Sequence, residues 1–216
     1  MGMDTPKQYL KLCGKCILEY TLEPFCIHEK IDGVVVVLAE NDSYWETLPI
    51  ASNKKIQTTI GGIERCHSVQ NGLKILKGIA SPNDWVLVHD AARPCLHMDD
   101  IDKLIQTMNA QSIGGILAIP VRDTMKRTGT INEVTETVSR EGLWHALTPQ
   151  MFQLSMLDSA LEMAISNNVL VTDEAQAIEM TGKRPVLVEG HPDNIKITHK
   201  SDLPLAELFL SRREVK

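Results

Sequence analysis

Trp85-Val86-Leu87-Val88-His89-Asp90-Ala91-Ala92-Arg93-Pro94 is the stretch whose reading decides the fold. Its four unbroken apolar residues, Trp85 to Val88, lie between the turn-rich Ser81-Pro82-Asn83-Asp84 and Pro94. A run that short and that apolar predicts a strand buried on both faces, as in a parallel sheet. His89, Asp90 and Arg93 follow at its carboxyl end, where open α/β sheets bind their ligands. An acid at that place suits a divalent cation on a phosphate, and Arg93 suits an anionic group nearby. A capped loop in which Asp90 and Arg93 merely pair with each other accounts for these residues equally well.

Outward from this strand the same pattern repeats. Lys30 to Glu40 carries the apolar run Gly33 to Ala39, and Lys55 to Ile60 is a shorter strand stopped by Gly61-Gly62. Glu64 to Ala80 reads as a helix with Val69, Leu73 and Leu76 on one face, and Met98 to Met108 as another. Gly115 to Ile119 is the next strand. Such alternation implies right-handed crossovers and a mostly parallel sheet flanked by helices. Between Val121 and Gly142 the pattern changes to Thr, Val and charge, with Thr128-Gly129-Thr130 as a turn. That segment predicts a projecting β-arm, and a second subunit is the simplest thing for it to pack on. Leu154 to Ser166 is helical, and a short helix starts near Thr172-Asp173-Glu174, where a cap and two acids suit the helix dipole. Val186 to Glu189 is a strand, Asn194 to Thr198 reads as a further one, and Asp202 to Arg213 closes the chain as a helix with Pro204 in its first turn.

The totals describe one domain over residues 1–216 with room for a sizeable core. A net charge of −6 argues against non-specific nucleic-acid binding, so an anionic substrate would need a local cluster of cations. No apolar run approaches membrane-spanning length, and no leader is expected ahead of the fold. Five cysteines, an odd number with no evident framework, suit a reducing cytoplasm. Cys13-Gly14-Lys15-Cys16 has the C-x-x-C spacing of redox and zinc sites but no second pair follows, so it reads as two ordinary thiols. The seven histidines show no H-x-x-x-H pattern, and His89 reads as a structural hydrogen-bonder.

Seven matches fall in register along nearly the whole chain. They are Pro6-Lys7-Gln8-Tyr9; Gly61-Gly62 with Glu64-Arg65 and Ser68-Val69; His89 to Pro94; Pro120-Val121 with Asp123-Thr124 and Lys126; Leu143-Trp144 with Thr148-Pro149-Gln150; Thr172-Asp173-Glu174-Ala175; and Asn194 to Thr198. In this order they resemble the 2-C-methyl-D-erythritol 4-phosphate cytidylyltransferases of the non-mevalonate isoprenoid pathway. The resemblance implies a Rossmann-like nucleotidyltransferase fold and a homodimer joined through the arm. It also implies the reaction of CTP with methylerythritol phosphate, using Mg2+, to give the CDP-alcohol and pyrophosphate.

Carried over residue by residue, the resemblance assigns Lys7 to the triphosphate and Gly62, Ile63 and Ser68 to the cytosine pocket, Ile63 through its backbone. Asp90 becomes the metal-associated acid, and Lys196 the second catalytic lysine, near the α-phosphate. Thr124 and Arg140, on the arm, would reach the methylerythritol phosphate of the neighbouring subunit. Thr148 and Thr172 become substrate-contacting hydroxyls, and Arg93 lies within the signature with no distinct role. Each has a plainer counterpart: solvated lysines at 7 and 196, a helix cap at Thr172, and an Arg140 paired with Glu141 or Glu136. The family also begins with a strand and an arginine-bearing glycine-rich loop ahead of the position of Met1. Neither is in the 216 residues, so little turnover is expected of this chain, and two strands next to the absent one are expected to lack a partner. Ribitol or another pentitol phosphate as acceptor, and a non-catalytic partner of a longer copy, are the alternative readings.

Overall fold

The computed structural model describes residues 5–108 and 113–212. A small hairpin, β1 (Lys11–Leu12) and β2 (Lys15–Cys16), leads into α1 (Ile17–Ile27). Then follow β3 (Val34–Leu38), β4 (Ile56–Ile60), α2 (Arg65–Leu76), β5 (Trp85–Val88), α3 (Met98–Met108) and β6 (Gly114–Pro120). The arm is the hairpin β7 (Met125–Thr128) and β8 (Val134–Val138). The chain returns as β9 (Trp144–Gln153), α4 (Leu154–Ser166), α5 (Glu174–Met180), β10 (Val186–Glu189) and α6 (Asp202–Ser211).

The main sheet has the order β10-β6-β9-β5, with β10 parallel to β6 and β9 antiparallel to both β6 and β5. The fold is α/β, as expected, and β9 is the member that reverses direction. Its sequence carries Pro149, which cannot donate to a ladder and argues against a central strand. The sheet accommodates it with a register irregularity, between Ile116 and Ala118 of β6, opposite that part of β9.

Period-two alternation sorts the core into two layers. Ile116 and Phe152 pack with α2, α4 and α5 through Leu73, Leu157, Leu161 and Ile178. The next residues along each strand, Leu117 and Met151, turn to the other face, against Phe25 of α1 and Ile101, Leu104 and Met108 of α3. Each fully buried leucine here contributes roughly 2 kcal/mol.

β3 and β4 form a separate parallel pair, Val34 to Leu38 against Ile56 to Ile60. Among the described residues no strand joins this pair to the four-stranded sheet, so β3 and β5 each keep one unpaired edge. Val35, Val37 and Leu38 are accordingly only half-buried, despite their composition.

Three boundaries differ from the sequence reading. α2 stops at Leu76, because Ile79 and Ala80 fold back to donate to the Leu76 carbonyl around Gly78. The cap of α5 is Asp173, whose carboxylate accepts the Gln176 N–H at 2.9 Å. Residues 194–198 are not a strand: this segment is a loop pinned by Ile197, which donates to the Ala92 carbonyl at 2.8 Å. The end of the last predicted helix, Arg213, lies outside the described residues. No described helix is long and apolar enough to cross a membrane.

Candidate active site

β5 ends at Val88, and the chain that leaves it is held by a short relay. The backbone N–H of Asp90 donates to Thr148 Oγ1 at 3.1 Å, and that hydroxyl lies 2.9 Å from His89 Nδ1. His89 Nε2 lies 3.2 Å from the Arg93 carbonyl. One assignment satisfies every atom: the Thr148 hydroxyl donates to Nδ1, and Nε2–H donates to the carbonyl. That neutral ring agrees with a His89 pushed down from 6.5 to about 4, chiefly by burial. His89 is thus the structural hydrogen-bonder that its sequence context indicated.

This relay presents the Asp90 carboxylate to three cations. Lys196 Nζ is 3.1 Å and Arg93 Nε 3.2 Å from Oδ2, and Arg65 Nε is 3.6 Å from Oδ1. Burial works against the charged carboxylate, but Lys196, Arg65 and Arg93 outweigh it and hold Asp90 below the ordinary carboxylate range. The partners differ in freedom. Arg93 is 8% exposed and also donates to the Asn194 carbonyl at 2.8 Å, tying the strand end to the 190–198 loop. Lys196 is exposed, so its ammonium can leave Asp90 for another anion.

Arg65 is braced from behind. Its two terminal nitrogens meet both oxygens of Glu174, at 2.6 and 2.9 Å, in a bidentate pair with Glu174 fully buried. Burial pushes the Glu174 carboxyl up, and Arg65 opposes that shift. Gln150, also buried, donates to Asp173 at 2.9 Å and accepts the Ala175 N–H at 2.8 Å.

A pocket of about 180 Å³ opens over this cluster, lined by Arg65, Asp90, Arg93, Thr148, Thr172 and Lys196 among others. It gathers Asp90, Arg93, Thr148, Thr172 and Lys196 from four separate segments of the chain. Two of the hydroxyls are already engaged: Thr148, 4% exposed, in the relay, and Thr172 with the Gln176 side chain at 3.2 Å. Within the chain Thr148 and Arg93 also act as braces, while both line the pocket.

The remaining candidates are not among the residues that line this pocket. Lys7 sits in a single 3-10 turn, Lys7–Tyr9. Gly62, Ile63 and Ser68 form the entry to α2, where the Gly62 N–H donates to Ser68 Oγ at 3.0 Å. A Cβ on Gly62 would collide with the His67 Cβ, so this close turn requires glycine. Ile63 is 95% exposed. Thr124 and Arg140 flank the arm hairpin, and Arg140 donates to the Arg122 carbonyl rather than pairing with Glu141 or Glu136. Arg65 and Glu174 were not among the sequence candidates. They stand 109 residues apart, and only the fold shows them as a pair.

A cation-ringed carboxylate at the carboxyl end of a strand, beside a lysine free to move, defines a class: an α/β enzyme that handles phosphates, of the nucleotidyltransferase type. The family model described as 2-C-methyl-D-erythritol 4-phosphate cytidylyltransferase matches residues 1–212, and the chain belongs to that family. A relative of that name from Vibrio parahaemolyticus is 50% identical over 212 residues, 98% of this chain and 90% of its own length. One from Photorhabdus laumondii is 49% identical, covering 99% and 90%. The crystal structure of the Francisella tularensis enzyme aligns at a TM-score of 0.86 with 40% identity over 95% of this chain and 94% of that one. The Thermus thermophilus structure gives 0.80 at 30% identity, covering 96% and 94%.

Proposed function

We propose that this chain transfers the cytidylyl group of CTP to 2-C-methyl-D-erythritol 4-phosphate, in the supply of isoprenoid precursors. An oxygen of the acceptor's phosphate bonds to the α-phosphorus while the bond from that phosphorus to the bridging oxygen breaks, and pyrophosphate leaves with the electron pair. The nucleophile is anionic at neutral pH, so no general base is needed. Catalysis consists of bringing two polyanions together and stabilising the charge that develops. The observation that carries this reading is the Asp90 cluster, in a chain matched to one family over residues 1–212.

In this proposal Lys196 exchanges Asp90 for the α-phosphate, while Arg65, fixed by Glu174, keeps a positive wall behind it. Lys7 neutralises the triphosphate, and the turn at Gly62, Ile63 and Ser68 reads the cytosine edge through backbone groups. Thr172 faces the substrate at the pocket mouth. Two aspartates, Asp90 and Asp173, line this pocket; Asp173 also caps α5 and accepts from Gln150, and Glu174 is shut in with Arg65. That donor set fits Mg2+ carried in on a triphosphate, which takes one or two carboxylates beside phosphate oxygens. Asp90 would hold the ion, whose charge would offset that of the reacting phosphates.

Thr124 and Arg140 would serve the acceptor phosphate across a homodimer. The arm supports this, since almost all of it is exposed, with Ile131 and Val134 at 82% and 60%. Five cysteines, none of them in a disulfide, suit a cytoplasmic setting. The test is pyrophosphate release from CTP and Mg2+ with methylerythritol phosphate or ribitol phosphate as acceptor. Preference for the former supports the proposal, and equal or better use of ribitol phosphate replaces it with the pentitol reading.

A further inference from the structure

Outside the residues that line the Asp90 pocket, two histidines and a carboxylate converge. His97 precedes α3, Asp99 lies in the first turn of α3, and His191 follows β10. One ligand atom from each lies within 4.8 Å of the other two. We propose that His97, Asp99 and His191 form a binding site for a divalent first-row transition metal, of which Zn2+ is the natural occupant by donor type.

The argument rests on which nitrogens are already engaged. Nε2 of His97 lies 2.7 and 2.8 Å from the two oxygens of Asp193, so it carries the proton. Nδ1 of His191 lies 2.8 Å from Oδ1 of Asp100, which is fully buried and also accepts the His191 backbone N–H at 3.1 Å. These two bonds set both tautomers and leave His97 Nδ1 and His191 Nε2 as lone pairs. Both lone pairs turn to the same carboxylate: Nδ1 of His97 is 3.9 Å and Nε2 of His191 3.6 Å from oxygens of Asp99. Three acceptors thus face one another.

Protonating both rings would also satisfy Asp99, but it would place two imidazoliums face to face, 4.0 Å apart and 14° from parallel. A single divalent cation removes both conflicts. A histidine whose far nitrogen donates to a carboxylate is the usual support of a metal-binding imidazole, and here both histidines have one. Two imidazoles and a carboxylate suit Zn2+, Co2+ or Ni2+ better than Mg2+, which prefers oxygen donors. To share one ion the two rings must turn out of their near-parallel stack, and the exposed Asp99 side chain must close on the ion.

The site would clamp the start of α3 to the loop that carries Lys196 into the Asp90 pocket. The test is titration of the chelator-stripped full chain with Co2+, read by visible absorption, followed by displacement with Zn2+. One equivalent should bind, and millimolar Mg2+ should not displace it. Asp99→Asn should weaken binding by about tenfold or more and His191→Asn should abolish it, with far-UV circular dichroism unchanged. Asp99 is exposed, so its variant keeps the test valid if His191→Asn fails to fold. Binding equal in wild type and Asp99→Asn, or displacement by Mg2+, would overturn the proposal.

Discussion

The Asp90 pocket and the β7–β8 arm are opposites in how they hold charge. At the pocket, Arg65, the Asp90–Arg93 segment and the Glu174 behind it come from three separate parts of the chain and are tied to one another or to backbone carbonyls. On the arm, Arg127 and Glu136 pair at 2.8 Å in the open, across one hairpin. The pocket is a finished piece of electrostatics that this chain builds alone. The arm is an open surface, with Ile131 and Val134 exposed. The difference predicts where single substitutions strike: stability first in the pocket brace, substrate affinity first on the arm.

The largest effect should come from Glu174→Ala. It strands Arg65 beside the core, and urea unfolding should show a loss of roughly 3 kcal/mol, the lower end for breaking a buried pair, because Asp90 remains 3.6 Å away. Next is the pH response of the relay. His89 binds its proton at about 4 in the fold, against 6.5 ordinarily, so the unfolded chain takes up more protons between those values. Stability should be intact above pH 6.5 and decline as the pH falls from there to about 4, by an amount on the order of 3 kcal/mol. Thermal melts across that range should lose this slope in a folded His89→Gln variant.

Lys196→Ala should leave the melting temperature nearly unchanged while turnover falls about 100-fold, since one exposed cation is lost from the reacting phosphates. Arg140→Ala should raise KM for the acceptor by about tenfold, with kcat affected less. Smallest of all, Arg127→Ala should cost under about 1 kcal/mol in the same urea experiment, as exposed pairs do. If Arg127→Ala proved as damaging as Glu174→Ala, the contrast between finished pocket and open arm would fail.

Much of this was legible from periodicity. The sequence reading gives Met98–Met108, Leu154–Ser166 and Val186–Glu189 the same ends as the fold does, because each is bounded by a clear change in apolar spacing. β9 was not legible: Thr148, Pro149 and Gln150 interrupt its apolar pattern at the place where it is most buried. Residues 194–198 look like a strand by composition, yet side-chain bonds from Arg93 and Asn194 and the backbone bond from Ile197 to Ala92 hold them as a loop. In the site, Asp90 could be read from its place after a strand. Its brace could not, because Arg65 and Glu174 meet only through the fold, in which α2 and α5 both pack on α4. The same holds for His97 and His191, which no local spacing connects.

The most direct test of cytidylyl transfer is Mg2+-dependent pyrophosphate release from CTP by this chain and its Lys196→Ala variant, with methylerythritol phosphate and with ribitol phosphate. The account predicts release that requires methylerythritol phosphate and falls about 100-fold in the variant, whatever its absolute rate. Release that is unchanged in the variant, or that follows ribitol phosphate instead, would contradict it.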